Sequence, residues 1–234
     1  MNEDKKREEG NVEETPEEKA RRYNIDIKKL EQEQIKLAKS IVLKDSIDFS
    51  LANRIAGIEN IFFKNKIISA IIVIVDGEIV EQEYFEDKVR FPYIPGLRAY
   101  RELPNMMQAF NKLDENPDVI FIHGHGIIHP NGFGIASHFS IASGVASIGV
   151  ADSLIVGQIQ GEDIIFNGKK AGKVLKIKEG ARPIFISPGS MISVESAFSL
   201  AKKNIEEGHK TPEVLRLARK YAKDVMKELY LNQE

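Results

Sequence analysis

The apolar positions along this chain change period several times, and the changes mark out its elements. Between residues 27 and 43, Ile27, Leu30, Leu37 and Ile41 recur at helical spacing, with Ile35, Ala38 and Val42 beside them. That pattern predicts an amphipathic helix laid on a core. Strand signals follow at residues 54–62, 67–75 and 78–85. The second is almost wholly apolar, as a strand covered on both faces must be, and the third alternates, as expected nearer an edge. Asp76-Gly77 is a two-residue hairpin signal and Asn65-Lys66 is expected to turn the hairpin before it, so the sheet opens as an antiparallel meander.

Beyond the meander, helical and strand periods alternate. Residues 97–113 read as a helix that Pro104 is expected to kink, and 119–122 as a buried strand. A short helix at 135–140 and a strand at 146–151 come next, then a peripheral hairpin, 164–166 with 173–177, around Asn167-Gly168. A last strand at 183–187 precedes helices at 193–206, capped by Ser193, and 212–229, where Thr211-Pro212 makes an N-cap and N1 pair. The order suits an α/β fold with a mixed central sheet flanked by helices.

Composition adds limits. Residues 1–22 are nearly all charged or polar and are expected to form a flexible tail, leaving 23–234 as a single domain. The net charge is −2, so contact with nucleic acid has to come from a local patch rather than a global basic excess. There is no cysteine, hence no disulfide framework and no thiolate chemistry. No apolar run is long enough to span a bilayer and the start is polar, so a soluble, monomeric, cytoplasmic protein without a membrane partner is expected.

Candidate chemistry concentrates in residues 118–138, DVIFIHGHGIIHPNGFGIASH. A buried strand runs straight into a loop holding four of the chain's five histidines, His123, His125, His129 and His138. Open α/β sheets bind ligands beyond the carboxyl ends of their strands, and Gly124 and Gly126 allow close backbone approach there. His123 and His125 would chelate an ion only if both pointed the same way, while His209 near the last interhelical turn is expected to be solvated. A second feature is the loop Pro92-Tyr93-Ile94-Pro95, stiffened by its prolines. It either presents Tyr93 and Ile94 as a wedge against nucleic-acid bases or plugs the core with them.

Taken in order, AGIEN, RFPYIPGLRAYRE, HGHGIIHPNGFGIASH, SIGVADS and RPIFISPGS resemble the endonuclease V family, collinearly from about residue 30 to 220. The resemblance implies a ribonuclease-H-like fold. It also implies Mg²⁺- or Mn²⁺-dependent cleavage of DNA or RNA near a deaminated base, chiefly hypoxanthine. Pro92–Pro95 would then be the wedge, Gly124 and Gly126 would line the pocket for the extruded base, and His125 and His129 would contact base or phosphate.

Against that pattern the catalytic positions are mostly substituted. Glu59 stands where the family has an aspartate on the first strand, and Glu102 keeps the family glutamate. His123 replaces the aspartate that opens the glycine loop, Asp152 a lysine, Arg219 a histidine and Asn131 an arginine. Mg²⁺ takes oxygen ligands in tight octahedral geometry, whereas a histidine nitrogen shifts preference toward Zn²⁺, Mn²⁺, Co²⁺ or Ni²⁺. Arginine cannot exchange protons near neutrality, so Arg219 is no acid or base. One expectation is a displaced metal site built from Glu59, Glu102, His123 and Asp152; another is an Asp152–Arg219 ion pair with no metal at all. The favoured function is recognition of deaminated strands with cleavage impaired or lost. The alternatives are an active divergent endonuclease using a displaced Mn²⁺ or Mg²⁺ site, and a non-catalytic assembly protein.

Overall fold

A computed structural model describes residues 14–177 and 182–231. The meander is β1 (Ile55–Phe63), β2 (Lys66–Val75) and β3 (Glu78–Lys88), paired antiparallel in turn. The second hairpin turns at Asp76 (φ 50°) and Gly77 (φ 85°), as expected. The first turns one residue early, at Lys64-Asn65: Phe63 pairs with Lys66, and Lys64 takes the left-handed φ of 53°. Register decides this, because a one-residue slip would turn every apolar side chain of β2 onto the wrong face.

Helix α3 (Arg98–Phe110) runs through Pro104 without ending there, and β4 (Val119–His123) then adds parallel to β1. Helix α4 (Ile135–Ser143) and β5 (Ser147–Ala151) repeat the step, β5 lying parallel to β4. Strands β6 (Gln158–Gln160), β7 (Asp163–Phe166), β8 (Lys169–Leu175) and β9 (Ile184–Ser190) complete one sheet of order β3-β2-β1-β4-β5-β9-β8-β7-β6. The hairpin expected at the periphery is therefore a continuation of the central sheet through β9. Its edge strand β6 is three exposed residues with no apolar run to announce it. Helices α5 (Val194–Lys203) and α6 (Glu213–Tyr230) follow; Pro212 rather than Thr211 occupies the N-cap of α6, with no side-chain cap bond. The parallel β1-β4-β5 centre, with antiparallel strands to either side, is the ribonuclease-H-like arrangement.

Both faces of the centre are covered. Ile58, Ile71, Ile120 and Ile122 pack with Met106 of α3 and Phe139 of α4; Phe121, Ile148 and Val150 pack on the other face with Leu200 of α5 and Val214 and Leu215 of α6. Side chains alternate along a strand, so β4 is apolar from Val119 to Ile122 because each face has its own helices.

The first helices depart from expectation. Of the supposed tail, residues 1–13 lie outside the described residues. Residues 16–22 form helix α1 (Pro16–Arg22), held by a Thr15–Glu18 capping box, with Ala20 buried against Ile94 and Leu97. Helix α2 (Ile27–Ala38) stops five residues short of the expected 43. Its one buried residue is Gln34, while Ile35 is half exposed. Among the described residues no helix is long and apolar enough to cross a membrane.

Candidate functional site

Strand alternation places the centre. In β1 the α6 face takes Gly57, whose absent Cβ leaves room for the Val214 backbone at 2.6 Å, and two residues on it takes Glu59. In β4 it takes Phe121 and then His123, and in β5 Val150, followed just past the strand end by Asp152. The registers Ile58↔Ile122 and His123↔Val150 set these three side by side at the carboxyl ends of the parallel strands.

There they form a chain of contacts. His123 Nδ1 donates to Glu59 Oε1 at 3.1 Å and Nε2 to Asp152 Oδ2 at 3.1 Å. A ring that donates from both nitrogens is an imidazolium. Consistently, the Glu59 hydrogen bond and charge raise the His123 pKa above its usual 6.5, with Asp152 assisting, while burial and Arg98 oppose. Lys210, from the loop before α6, donates to the other Asp152 oxygen at 2.6 Å and, with His123, holds that carboxyl below its usual range. The expected Asp152–Arg219 pair does not form: among the described residues the cation on Asp152 is Lys210, and exposed Arg219 lines the groove without an ion-pair partner. The sequence reading missed Lys210, since no local pattern ties it to a residue 58 positions earlier.

Glu102 is not part of this chain. It lies on the α3 side, where Arg98 grips it through Nε–Oε1 (2.7 Å) and a second nitrogen on Oε2 (2.9 Å), and Asn60 Nδ2 donates to Oε2 at 2.7 Å. Asn60 is fixed in turn by Ser69, and Ser69 by Asn105. The expected four-residue metal site is therefore not assembled: among the described residues, Glu59, Glu102, His123 and Asp152 do not gather ligand atoms within 4.8 Å of one another. The group that does is Glu206, His209 and Glu213 at the solvent-facing α5–α6 turn, with His209 exposed as expected.

A second cleft is lined by Ser153, next in the chain to Asp152, and by His125, two residues beyond His123. Tyr93, Arg98, His129, Phe133 and Gln34 line it as well. His125 donates Nε2–H to the Ser153 carbonyl at 2.8 Å and burial lowers its pKa, so His123 and His125 do not chelate together. His129 accepts the Asn131 N–H on Nδ1, and burial drives its pKa down to about 4. His138 packs between Tyr100 and Phe133, and burial also takes its pKa to about 4. Gln34 clasps the loop, accepting from Asn131 at 2.8 Å and donating to the Gly96 carbonyl at 2.9 Å.

The Pro92–Pro95 loop divides its two large side chains. Tyr93 is 55% exposed, whereas Ile94 is 2% exposed beneath α1, so only the tyrosine is presented. Gly124 and Gly126 do not line the cleft. A Cβ on Gly124 (φ +147°) would meet Ile135 at 2.6 Å, and one on Gly126 the Pro188 carbonyl oxygen at 2.0 Å, so both are sites of close packing.

The sheet order, with acidic residues at the ends of its parallel strands, defines a ribonuclease-H-like fold. The endonuclease V family profile matches residues 35–220, most of the chain, and the chain belongs to that family. Endonuclease V of Thermosipho melanesiensis is 38% identical over 186 residues, covering 75% of this chain and 81% of that protein. The Petrotoga mobilis endonuclease V is 33% identical over 216 residues, covering 87% and 96%. Among solved structures, Bacillus subtilis endonuclease V superposes with a TM-score of 0.80 at 27% identity, over 91% of this chain and 97% of that one. The Ciona intestinalis enzyme, solved with a 24mer DNA containing an inosine followed by a ribo-adenosine, superposes at 0.78 with 23% identity, over 87% and 98%.

Proposed function

We propose that this protein recognises DNA or RNA strands carrying a deaminated base, and that family-type metal-dependent cleavage is impaired or lost. One observation carries the second half. His123 stands between Glu59 and Asp152 with both ring nitrogens engaged, where a divalent ion would need anionic oxygens converging. Glu102 is held by Arg98 and Asn60 on the α3 side and does not converge with Glu59 and Asp152 on a common point. The residues present therefore do not fit a resident Mg²⁺. A fixed imidazolium supplies positive charge to a phosphate, but it generates no hydroxide as a bound metal does.

The first half rests on family membership and on the exposed Tyr93 beside a cleft lined by His125 and His129. With its Nε2–H on the Ser153 carbonyl, a neutral His125 keeps Nδ1 as an acceptor for a base edge, and an exposed aromatic stacks on bases. Inosine-containing and unmodified oligonucleotides, run with Mg²⁺ and with Mn²⁺ and scored for both retardation and nicking, test the whole. Inosine-selective retardation without nicks is expected and should weaken in Tyr93→Ala. Nicking with Mg²⁺ alone would overturn the loss of cleavage, and absence of inosine preference would overturn the recognition.

A further inference from the structure

The face of α6 away from the core carries a basic stripe that the centre does not account for. Arg216, Lys220, Lys223 and Lys227 follow one another at steps of four, three and four, which aligns them along one side of the helix, with Arg219 beside them. All five line the groove that begins at Glu59 and His123; of the helix's acids, only Asp224 lines it with them. The chain as a whole has a net charge of −2, so this local excess is not a reflection of overall composition. Arg216 is paired with Glu213, and Lys227 approaches Asp224 at 3.6 Å. Arg219, Lys220 and Lys223 have no ion-pair partner among the described residues. Asp152 lines this groove and Ser153, the next residue, lines the cleft beside Tyr93.

We propose that this stripe is the track for the sugar-phosphate backbone of the bound strand, leading it away from the centre. The proposal rests on the recognition reading above and adds where the strand runs. From Arg216 to Lys227 the helix rises about 16 Å, roughly five steps of a nucleic-acid strand at about 3.4 Å each. Three lysines facing phosphates neutralise charge without reading sequence, so they act alike on any strand. Tyr93 and the cleft, by contrast, discriminate the base.

The test is a salt titration of binding to inosine-containing and unmodified oligonucleotides by the full chain and by Lys220→Ala/Lys223→Ala/Lys227→Ala. These side chains are exposed, and circular dichroism checks that the variant is folded. The slope of log K against log salt should fall in magnitude by about 2 to 3, at roughly 0.7 to 0.9 per lost phosphate contact. Affinity for both oligonucleotides should drop by the same factor, and the triple lysine-to-arginine variant should restore the slope. An unchanged slope with inosine preference intact overturns the track alone. A reduced slope without inosine preference in the parent chain supports the track and overturns the recognition reading. No retardation of either oligonucleotide overturns both.

Discussion

Removing the His123 ring should cost far more than removing the Asp152 carboxylate, although the two contacts have the same length. The Glu59 side chain is 7% exposed and that of Asp152 is 54% exposed. Taking away the partner of a buried charge costs about 3 to 5 kcal/mol, and the lower end applies because His123 itself is partly open to solvent. An exposed contact contributes under about 1 kcal/mol. At about 2 to 4 °C per kcal/mol for a domain of this size, His123→Ala should lower Tm by about 6 to 12 °C and Asp152→Ala by less than about 4 °C. The sign of the pH dependence follows from the raised folded pKa of His123. Its contribution is complete below the unfolded value of about 6.5 and is lost as pH rises through the higher folded value, so the gap between parent and His123→Ala should narrow as pH is raised above that range. A metal arm completes the assay. A site of about 0.1 mM Kd would add about 2.7 kcal/mol at about 10 mM Mn²⁺. The parent should gain under about 0.5 kcal/mol, and His123→Asp, which returns an anionic oxygen, should gain more. Equal losses in the two alanine variants, or stabilisation of the parent by about 2 kcal/mol with Mn²⁺, would refute the argument.

Acid should destabilise the protein through different histidines. His129 and His138 are buried and neutral, with pKa values of about 4 against 6.5, so their contribution is intact above about pH 6.5 and lost as pH falls. At 1.36 kcal/mol per unit that is about 3 kcal/mol each; urea unfolding at about pH 7 and pH 4.5 measures it, and His138→Leu should flatten the acid limb. Gly126→Ala should cost about 3 kcal/mol, because its Cβ would lie 2.0 Å from the Pro188 carbonyl oxygen, a backbone atom that cannot swing aside. Gly132→Ala, with open space but a φ of +66°, should cost only about 1 kcal/mol by urea unfolding.

Much of the architecture was legible in the residues. Among the described residues eight of the nine strands were marked by their apolar positions, as unbroken runs where both faces are buried (β2, β4) and by alternation in β3, and Asp76-Gly77 and Asn167-Gly168 marked turns because their left-handed backbone favours those residue types. The same alternation that made β4 visible also dictates that Glu59, His123 and Asp152 share the α6 face once the strands are in register. What no local pattern contained is which distant group each one meets. Lys210 reaches Asp152 from the loop before α6, Arg98 and Asn60 bind Glu102 on the opposite side of the sheet, and Ile94 packs inward beneath α1 while Tyr93 stays outside. Those pairings follow from how helices settle on the sheet and how loops close over long sequence separations. Periodicity alone says which face a side chain takes; only the packed structure decides what waits there.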